Sequence, residues 1–312
     1  MQDKHVTIII PTLNEEKSIG DVITKFKKLG FEDILVIDGN SKDKTREIAK
    51  KLGARVVIQS GKGKGQAIQE AFSIVDSDIV VVIDGDNTYL PEEVHKLIDP
   101  LIKGSADHVI GNRFANFEEG AFTKLNLIGN KILNFIFRML YGEPIHDLLT
   151  GYRALTKKVY KSLNLKHHGF EVETEMTVQT IARGFRIIEV PITYKKRVGK
   201  TKLNPLIDGF RIGKTILGLL FEYLPGKALY ITGIILLILG ILFGIKTVTD
   251  WFKHISHPLM ATLTSLLIIS GLLFIIFGIL TSSIMRSLSE TRREIKEVGD
   301  KIDNILENLN AK

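Results

Sequence analysis

Residues 78–86 read DIVVVIDGD, an apolar run that ends in two acidic residues separated by one glycine. The run is made of β-branched residues, which is typical of a strand buried on both faces of a parallel sheet. Asp84 and Asp86 would then lie at the carboxyl end of that strand, where open α/β sheets bind ligands. Two carboxylates there can bind a hard divalent cation together with substrate phosphates, although Asp and Gly also form ordinary turns.

The same strand-then-helix pattern repeats in the residues before this stretch. Strands are predicted at 5–10, 33–38, 54–59 and 78–84, and helices at 14–29, 43–52, 65–75 and 91–102. Repeated βα units predict an α/β fold with a doubly wound, mostly parallel sheet. The polar residues that follow the predicted strands are Thr12, Asn14, Glu15, Asp38, Asn40, Asp84 and Asp86. A binding site is therefore expected at the edge of the sheet where these strands end.

Residues 61–65 read GKGKG directly before the third predicted helix. The backbone amides of such a helix start can bind an anion. The spacing differs from that of the nucleotide-binding loop G-x-x-x-x-G-K-[ST]. A flexible turn accounts for the motif equally well.

The composition excludes several classes of protein. The 312 residues are 45% hydrophobic and include no cysteine, which excludes a disulfide scaffold, a thiol nucleophile and a cysteine-based metal centre. The apolar fraction is too high for a disordered chain. Two segments, 228–245 and 259–280, carry no charge over 18 and 22 residues. Because about 20 apolar residues span the hydrocarbon core, we expect two transmembrane helices, with buried core helices as the alternative.

Basic residues predict how these spans are oriented. Residues 195–227 hold eight Lys or Arg against two acidic residues, whereas the link between the spans has only Lys246 and Lys253. Positive residues stay on the cytoplasmic side. We therefore expect a multi-pass protein of the cell membrane whose large N-terminal domain and C-terminal tail are both cytoplasmic.

The segments on either side of the spans have helical patterns. Residues 205–226 predict an amphipathic helix in the membrane interface, or alternatively a helix packed on the soluble domain. The tail at 282–312 has apolar residues spaced three and four apart, which predicts a short heptad seam. These residues are Ile295, Val298, Ile302, Ile305 and Leu309. Self-association is expected through this tail and the transmembrane helices. The expected domains are thus 1–204, 205–226, 227–281 and 282–312.

Seven motifs occur along the first 204 residues in a fixed order. They are PTLNEEKSI, VIDGNSKDKT, GKGKGQA, VVVIDGDNTYLPEEV, GNRF, DLLTGYRAL and VPITYKKRVGKTKLN. Together they resemble the family 2 glycosyltransferases with the GT-A fold. The resemblance is greatest to the branch that makes polyprenyl-phosphate sugars, which includes dolichyl-phosphate mannose synthase and bacterial polyprenyl-phosphate glucosyltransferases.

The resemblance implies roles for particular residues. Those implied to bind the nucleotide are Pro11, Leu13, Glu15, Asp38, Asp84 and Gly85. Asp84 and Asp86 match the motif that binds Mg²⁺ or Mn²⁺. Those implied to bind the acceptor are Asp147, Thr150 and Gly151. Those implied to be catalytic are Asp86, Arg113, Arg153, Arg197 and Lys202, and the basic members of this set would gather the two phosphate groups.

The resemblance implies a metal-dependent enzyme that moves a hexose from a nucleotide-diphosphate sugar to polyprenyl (dolichyl) phosphate. The product would be a lipid-linked donor for glycan or glycoprotein synthesis, and no nucleic-acid partner is expected. Departures from the family pattern at Ile37, Thr88 and His146 leave the sugar and the nucleotide open. The alternatives are an enzyme that extends a polysaccharide or glycosylates another lipid, and an inactive membrane-anchored binding protein.

Three acidic residues near the predicted acceptor site have two interpretations. Glu171, Glu173 and Glu175 stand close to a predicted helix start, where acidic side chains suit the helix dipole, and the family places acidic residues here beside the acceptor site. The neighbouring pair His167 and His168 is interpreted as part of a loop rather than as a metal site.

Overall fold

The computed structural model describes residues 4–197 and 205–310. Within these ranges, side chains are described as far as Leu288 and also for Thr291. Lys202, which the resemblance implies to be catalytic, lies outside the described residues. The chain forms two compact units, Met1–Leu219 and Leu220–Lys312.

The first unit is built on a seven-stranded sheet. Its strands are β1 (Val6–Thr12), β2 (Ile34–Asp38), β3 (Arg55–Ile58), β4 (Ile79–Val82), β5 (His108–Phe117), β6 (Arg153–Thr156) and β7 (Ile187–Tyr194). The strand order is β3-β2-β1-β4-β6-β5-β7. Only β6 runs antiparallel to its neighbours β4 and β5. The expectation of a mostly parallel α/β sheet is confirmed.

Helices follow the strands along the chain. In the first unit they are α1 (Ile19–Lys28), α2 (Thr45–Lys51), α3 (Lys64–Ile74), α4 (Val94–Ile102), α5 (Lys124–Tyr141), α6 (Lys157–Tyr160) and α7 (Val172–Ala182). Alternate residues of β1 enter different apolar clusters: Ile8 packs with Phe26 of α1, and Ile9 with Ile68 of α3. Helices therefore cover both faces, as a doubly wound sheet requires.

Two predicted boundaries differ from the structure at the first strand and helix. β1 continues past Pro11 to Thr12 and pairs there with Asp38 of β2. The backbone N–H of Ile83 donates to the carbonyl of Ile9, so the backbone groups of Ile9, and of Pro11 two residues later, are directed to the side of β1 on which β4 lies. Pro11 lies beyond the paired end of β4, and its missing N–H therefore costs no ladder hydrogen bond. The first helix begins at Ile19 rather than at residue 14.

The delay of α1 has a local cause at Asn14. This residue has a φ of 52°, which the α-helix does not allow. Its backbone N–H donates to Ser41 Oγ over 2.8 Å, and its Oδ1 accepts from the N–H of Lys42 over 2.8 Å. Hydrogen bonds thus hold residues 14–18, which follow β1, against the loop that follows β2.

Three further helices complete the chain. They are α8 (Pro205–Tyr223), α9 (Pro225–Phe252) and α10 (Pro258–Asn310). Helix α9 and residues 258–288 of α10 are long and apolar enough to cross a membrane, and only a small share of each is buried. The second apolar segment and the heptad-patterned tail form a single helix of 53 residues, with no break at residue 281.

Glycines bring α9 and α10 into backbone contact. A Cβ placed on Gly233 would lie 2.7 Å from the carbonyl oxygen of Gly271. A Cβ on Gly278 would lie 2.7 Å from the backbone nitrogen of Tyr230. Small residues at such contacts are typical of helices that pack within membranes.

Candidate active site

A cleft of about 1280 Å³ lies at the edge of the sheet where β1, β2 and β4 end. The predicted site residues that line it are Pro11, Leu13, Glu15, Asp84, Gly85, Asp86, Arg113 and Arg197. Others lie behind the cleft wall and do not line it: Asp38, Asp147, Thr150, Gly151 and Arg153. The structure therefore separates residues that line the cleft from residues that lie behind its wall.

Asp86 is held at the cleft wall by two neighbours. Its Oδ1 accepts from the hydroxyl of Thr88 over 2.6 Å and from the N–H of the same residue over 3.1 Å. Its Oδ2 lies 3.0 Å from Arg197 Nη1. Arg197 also donates from Nη2 to Glu15 Oε1 over 2.6 Å. This arginine thus joins the acidic residues that follow β1 and β4.

Asp84 is paired with a lysine from the glycine-rich motif. Lys64 Nζ lies 2.5 Å from Asp84 Oδ1 and 2.8 Å from Glu173 Oε1. Burial alone would lower the pKa of Lys64, but the charges of Asp84 and Glu173 raise it above its ordinary value. Lys64 therefore stays charged between two carboxylates. The GKGKG motif marked this segment as anion-binding, but it did not single out the lysine.

The glycines of that motif allow a close approach of the chain. A Cβ on Gly63 would collide with the carbonyl of His168, and one on Gly65 with the carbonyl of His167. The Gly65 N–H donates to the His168 carbonyl over 2.8 Å. The histidine loop is thus fixed against the start of α3, which places Lys64.

Gly151 lies directly against the pair formed by Asp84 and Lys64. A Cβ on it would stand 2.5 Å from Asp84 Oδ2 and 2.7 Å from Lys64 Nζ. The Gly151 N–H donates to Tyr89 Oη over 2.8 Å, and Thr150 Oγ1 lies 3.4 Å from the same oxygen. Tyr89 was not identified from the sequence. It anchors the predicted acceptor motif behind the cleft wall.

We expect Gly151→Ala to lower turnover by roughly a hundredfold, because displacing a group by about 1 Å can cost that much. The added methyl would push Asp84 away from its position. Turnover should be measured with stability monitored by thermal unfolding. Gly104→Ala is a comparison in which the Cβ meets nothing within 4 Å, although its φ of 68° introduces backbone strain. Equal turnover of the Gly151 variant and the native protein would show that this contact is unimportant.

Arg113 and Asp147 form a buried, two-pronged ion pair. Arg113 donates from Nε and Nη2 to the two oxygens of Asp147, each over 2.7 Å. The guanidinium carbon lies 5.2 Å from the ring centre of Tyr194 and 5.5 Å from that of Phe122. Although burial opposes it, the charge of Asp147 holds the pKa of Arg113 well above its ordinary range. Arg113 therefore presents a fixed positive charge to the cleft.

A further acidic residue, missed from the sequence, supports Asp147. Glu189 Oε1 accepts from the backbone N–H groups of His146 and Asp147, each over 2.7 Å. Its position within β7 gave no signal, because a half-buried strand alternates polar and apolar residues for packing reasons alone.

The position of Arg153 differs from the expectation that its side chain binds phosphate groups. Its side chain is fully buried and donates to the carbonyls of Thr150 and Leu148 and to Thr177 Oγ1. Burial lowers the pKa of Arg153 to about 10, so it remains charged at neutral pH. The guanidinium holds the 148–150 loop from inside and does not line the cleft.

Asp38 likewise differs from the expectation of direct nucleotide contact. Its carboxylate is fully buried and accepts from the N–H and the hydroxyl of Ser41 over 2.8 and 2.6 Å. These bonds close a turn that exposes Gly39 and Asn40 to the cleft. Asp38 thus shapes the cleft wall without contacting its interior.

Glu173 and Glu175 have different surroundings. Glu175 is buried, and its oxygens accept from the N–H groups of Lys166 and His167 over 3.0 Å. It therefore shapes the 166–168 loop. Glu173 lines the cleft. Its Oε1 contacts Lys64 Nζ, whereas its Oε2 is buried and has no hydrogen-bond partner.

The acidic pair in the cleft fits a hard divalent cation. Asp84 and Asp86 both line the cleft. Within the described part of the chain, no three His, Cys, Asp or Glu side chains are grouped to hold an ion. Two carboxylates completed by substrate phosphate oxygens are the usual ligand set of Mg²⁺.

The chain belongs to glycosyl transferase family 2, whose model matches residues 7–163, about half of the chain. It is 39% identical to glycosyltransferase AglJ of Haloferax volcanii, over 94% of this chain and 98% of that protein. It is 35% identical to a dolichyl-phosphate hexose transferase of the same organism, over 70% and 94% of the two chains. The chain is therefore a glycosyltransferase of the polyprenyl-phosphate branch.

A solved structure of similar fold supports the GT-A expectation. Glucosyl-3-phosphoglycerate synthase from Mycobacterium tuberculosis, in complex with Mn²⁺ and uridine-diphosphate-glucose, matches with a TM-score of 0.57 and 25% identity. The match covers 71% of this chain and 79% of that chain. The expected GT-A fold is confirmed.

Proposed function

We propose that this glycosyltransferase moves a hexose from UDP-glucose, UDP-N-acetylglucosamine or GDP-mannose to polyprenyl phosphate of the dolichyl type. The observation that carries the proposal is one cleft that is lined both by a pair of carboxylates, Asp84 and Asp86, and by the cation Arg113. The relative named as a dolichyl-phosphate hexose transferase supports the acceptor. The solved structure that contains Mn²⁺ and a UDP-sugar supports the donor.

The donor would lie along the ends of β1 and β4. Pro11, Leu13 and Glu15 would border the nucleotide. Gly85 also lines the cleft and lets the chain pack closely on β1, because a Cβ there would stand 2.8 Å from the Thr12 side chain. Asp86 and Asp84 would hold Mg²⁺ or Mn²⁺, which would neutralise charge on the departing nucleoside diphosphate.

Arg113 and Arg197 would hold the phosphate groups. Guanidinium groups bind phosphate oxygens through charge-assisted hydrogen bonds, and both of these line the cleft. Asp147 fixes Arg113, and Arg153, with Thr150 and Gly151, fixes the loop behind it. Lys202 is proposed to join this basic set on the strength of the sequence motif alone.

The acceptor phosphate would attack the sugar without a protein base. A phosphate monoester has a second pKa near 6, so it is mostly dianionic at neutral pH. Its oxygen can attack the anomeric carbon directly while the bond to the diphosphate breaks, which inverts the configuration. The protein's part is to hold two anions in line by positioning and electrostatics.

We expect Glu173→Gln to keep turnover within about tenfold of the native value, since loss of a true general base costs about 10²–10⁴. Glu173 is the acidic residue best placed to act as a general base, but its Oε1 is already paired with Lys64 Nζ at 2.8 Å. Turnover and the acceptor KM should both be measured, and the anomeric configuration of the product determined by NMR.

The matched control for this variant is Glu175→Gln. That residue is buried away from the cleft, so its variant should alter stability rather than the chemical step. Loss of several orders of magnitude in Glu173→Gln at unchanged acceptor KM would require a base. A retained anomeric configuration would contradict the mechanism independently.

We further propose that residues 1–204 form a cytoplasmic catalytic domain tethered to the cell membrane. Residues 205–226 would lie in the interface, 227–281 would form the transmembrane hairpin, and 282–312 would form a cytoplasmic helix through which copies associate. The two apolar helices and the basic segment before them support this arrangement.

A panel of nucleotide sugars tests the proposed reaction. The full-length protein would be incubated with each UDP- or GDP-sugar, with and without polyprenyl phosphate, and release of nucleoside diphosphate and formation of lipid-linked sugar would be followed. Release that depends on polyprenyl phosphate, with one sugar preferred, is expected. Sugar transfer only to a growing glycan or another lipid would favour the alternative transferase, and nucleotide binding without turnover would favour an inactive binding protein.

A further inference from the structure

The hairpin of α9 and α10 contains a groove that is separate from the catalytic cleft. The groove has a volume of about 510 Å³ and lies between the first turns of α9 and residues 278–287 of α10. It belongs entirely to the second compact unit and shares no described lining residue with the cleft. Its polar lining is formed by Lys227, Tyr230, Ser282, Ser283, Arg286 and Ser287. We call this feature the hairpin groove.

Glycines set the distance between the two helices at the hairpin groove. A Cβ on Gly226 would collide with Ser282 Oγ, and one on Gly278 would lie 2.8 Å from the carbonyl oxygen of Gly226. The two backbones therefore touch here. Lys227 follows directly in α9, and Arg286 lies eight residues, just over two turns, after Gly278 in α10. One cation from each helix thus borders the same groove.

The polar lining is suited to an anion. Ser282 and Arg286 are four residues apart in α10 and therefore share a face of the helix. Ser283 and Ser287 repeat this spacing one residue further along. Hydroxyl groups can donate to anionic oxygens, and hydrogen bonds from Lys or Arg to phosphate are among the stronger ones in proteins. None of the described residues that line the groove is acidic.

The membrane arrangement proposed above puts the hairpin groove at the level of the cytoplasmic headgroups. Lys227 directly precedes the apolar segment 228–245, and Arg286 follows the segment 259–280 after five residues. Tyr230 is 43% exposed, and tyrosine is enriched at this level of a membrane. Ile279 and Leu280 are exposed by 54 and 52%. A lipid with its headgroup in the groove would therefore find apolar surface beside it for its acyl chains.

We propose that the hairpin groove binds the headgroup of an anionic phospholipid, with the phosphate between Lys227 and Arg286 and the acyl chains along α9 and α10. Basic pockets between membrane helices bind anionic headgroups on the cytoplasmic side, where the leaflet is negatively charged. The acceptor lipid already has cations of its own in the cleft, Arg113 and Arg197. The proposal rests on the proposed membrane tethering but not on the proposed reaction.

Native mass spectrometry of the full-length protein tests the proposal by counting bound lipids. Phosphatidylglycerol, phosphatidylcholine and polyprenyl phosphate would each be titrated, and a Kd determined for each. We expect phosphatidylglycerol to bind at least about tenfold more tightly than phosphatidylcholine, because choline cancels the phosphate charge that the basic pocket recognises. The Lys227→Gln/Arg286→Gln double variant should bind phosphatidylglycerol roughly thirtyfold more weakly, about fivefold for each cation, as is typical of basic residues at an anionic surface.

The matched control removes two cations from the other end of the same hairpin. Lys246 and Lys253 lie at the far end of α9, and Lys246→Gln/Lys253→Gln makes the same change of charge. This control should bind phosphatidylglycerol as the native protein does. Equal weakening by the two double variants, or no preference for phosphatidylglycerol over phosphatidylcholine, would overturn the proposal. Tighter binding of polyprenyl phosphate that is lost in the groove variant would also overturn it, in favour of a second acceptor site.

Liposome flotation separates headgroup recognition from membrane anchoring. In phosphatidylcholine liposomes the native protein and both double variants should float alike, since their apolar segments are unchanged. If the native protein did not float, the membrane tethering would be wrong and the proposal would fall with it. Neither measurement contains a nucleotide sugar, so a failure of the proposed reaction leaves both results unaffected.

The absence of cysteine from the chain allows a second test that removes no charge. Ser283→Cys would be compared before and after reaction with a bulky maleimide, and Thr249→Cys, at an exposed position near the other end of the hairpin, is the control. The reagent should abolish phosphatidylglycerol binding at position 283, because it fills the groove, and leave binding unchanged at position 249. Each variant is compared with itself, so a folding defect cannot imitate the effect. Unchanged binding after complete labelling at position 283 would overturn the proposal.

Discussion

Asp86→Ala should reduce sugar transfer by about a thousandfold or more, which corresponds to the several kcal/mol that a bound metal ion contributes to transition-state stabilisation. The variant removes a proposed metal ligand and leaves Arg197 without one of its two acidic partners. Asp86 lies at the cleft wall and not in the apolar core, so folding should be preserved. Release of nucleoside diphosphate should be measured against the concentration of Mn²⁺, alongside thermal unfolding.

Asp76→Ala is the appropriate control for that variant. Asp76 is an aspartate whose side chain is 76% exposed and whose partners are surface lysines. Its removal should leave turnover unchanged. Native turnover of Asp86→Ala at limiting Mn²⁺ would show that this carboxylate does not hold the metal ion.

Asp147→Asn is expected to lower the free energy of unfolding by about 3–5 kcal/mol, the usual effect of removing one partner of a buried ion pair. Asp147 is fully buried and receives three hydrogen bonds from Arg113, one of them from its backbone N–H. The substitution would keep the size of the side chain and leave the arginine without a counter-charge. Chemical denaturation of the full-length protein, followed by a signal from the first unit, would measure the change.

The chain provides a matched pair at its surface. Asp107 contacts Arg186 through the same residue types, at 3.2 Å, but both side chains reach solvent. Asp107→Asn should therefore cost no more than about 1 kcal/mol. If the two substitutions destabilised the protein equally, burial of the Arg113–Asp147 pair would not be the source of the effect.

The periodicity of the first hundred residues was sufficient to predict four of the seven strands, whereas β5, β6 and β7 were not predicted. Each of β1, β2 and β4 is a short run rich in β-branched residues with a polar residue at its end or shortly after it, as expected of strands that are buried on both faces. The antiparallel strand β6 was harder to foresee. Its four residues, RALT, pair with β4 and β5, and such long-range pairing leaves no periodic signal in so short a stretch.

The candidate site was predicted in part. The motifs indicated which segments meet, and Asp84, Asp86, Arg113 and Arg197 do line one cleft. They could not distinguish residues facing the cleft from residues behind it. Arg153 and Asp38 carry the same charges as the arginines and aspartates that line the cleft, yet their side chains are fully buried. That difference arises from the path of each loop, which sequence spacing does not encode.

The backbone contacts between α9 and α10 constrain how the proposed transmembrane hairpin would respond to bilayer thickness. The apolar segments have 18 and 22 residues, which correspond to about 27 and 33 Å of helix. Helices that touch through glycine lose contact surface when they separate or slide, so in the proposed hairpin neither helix would match the bilayer alone. The two helices would tilt together when the membrane thickness changes.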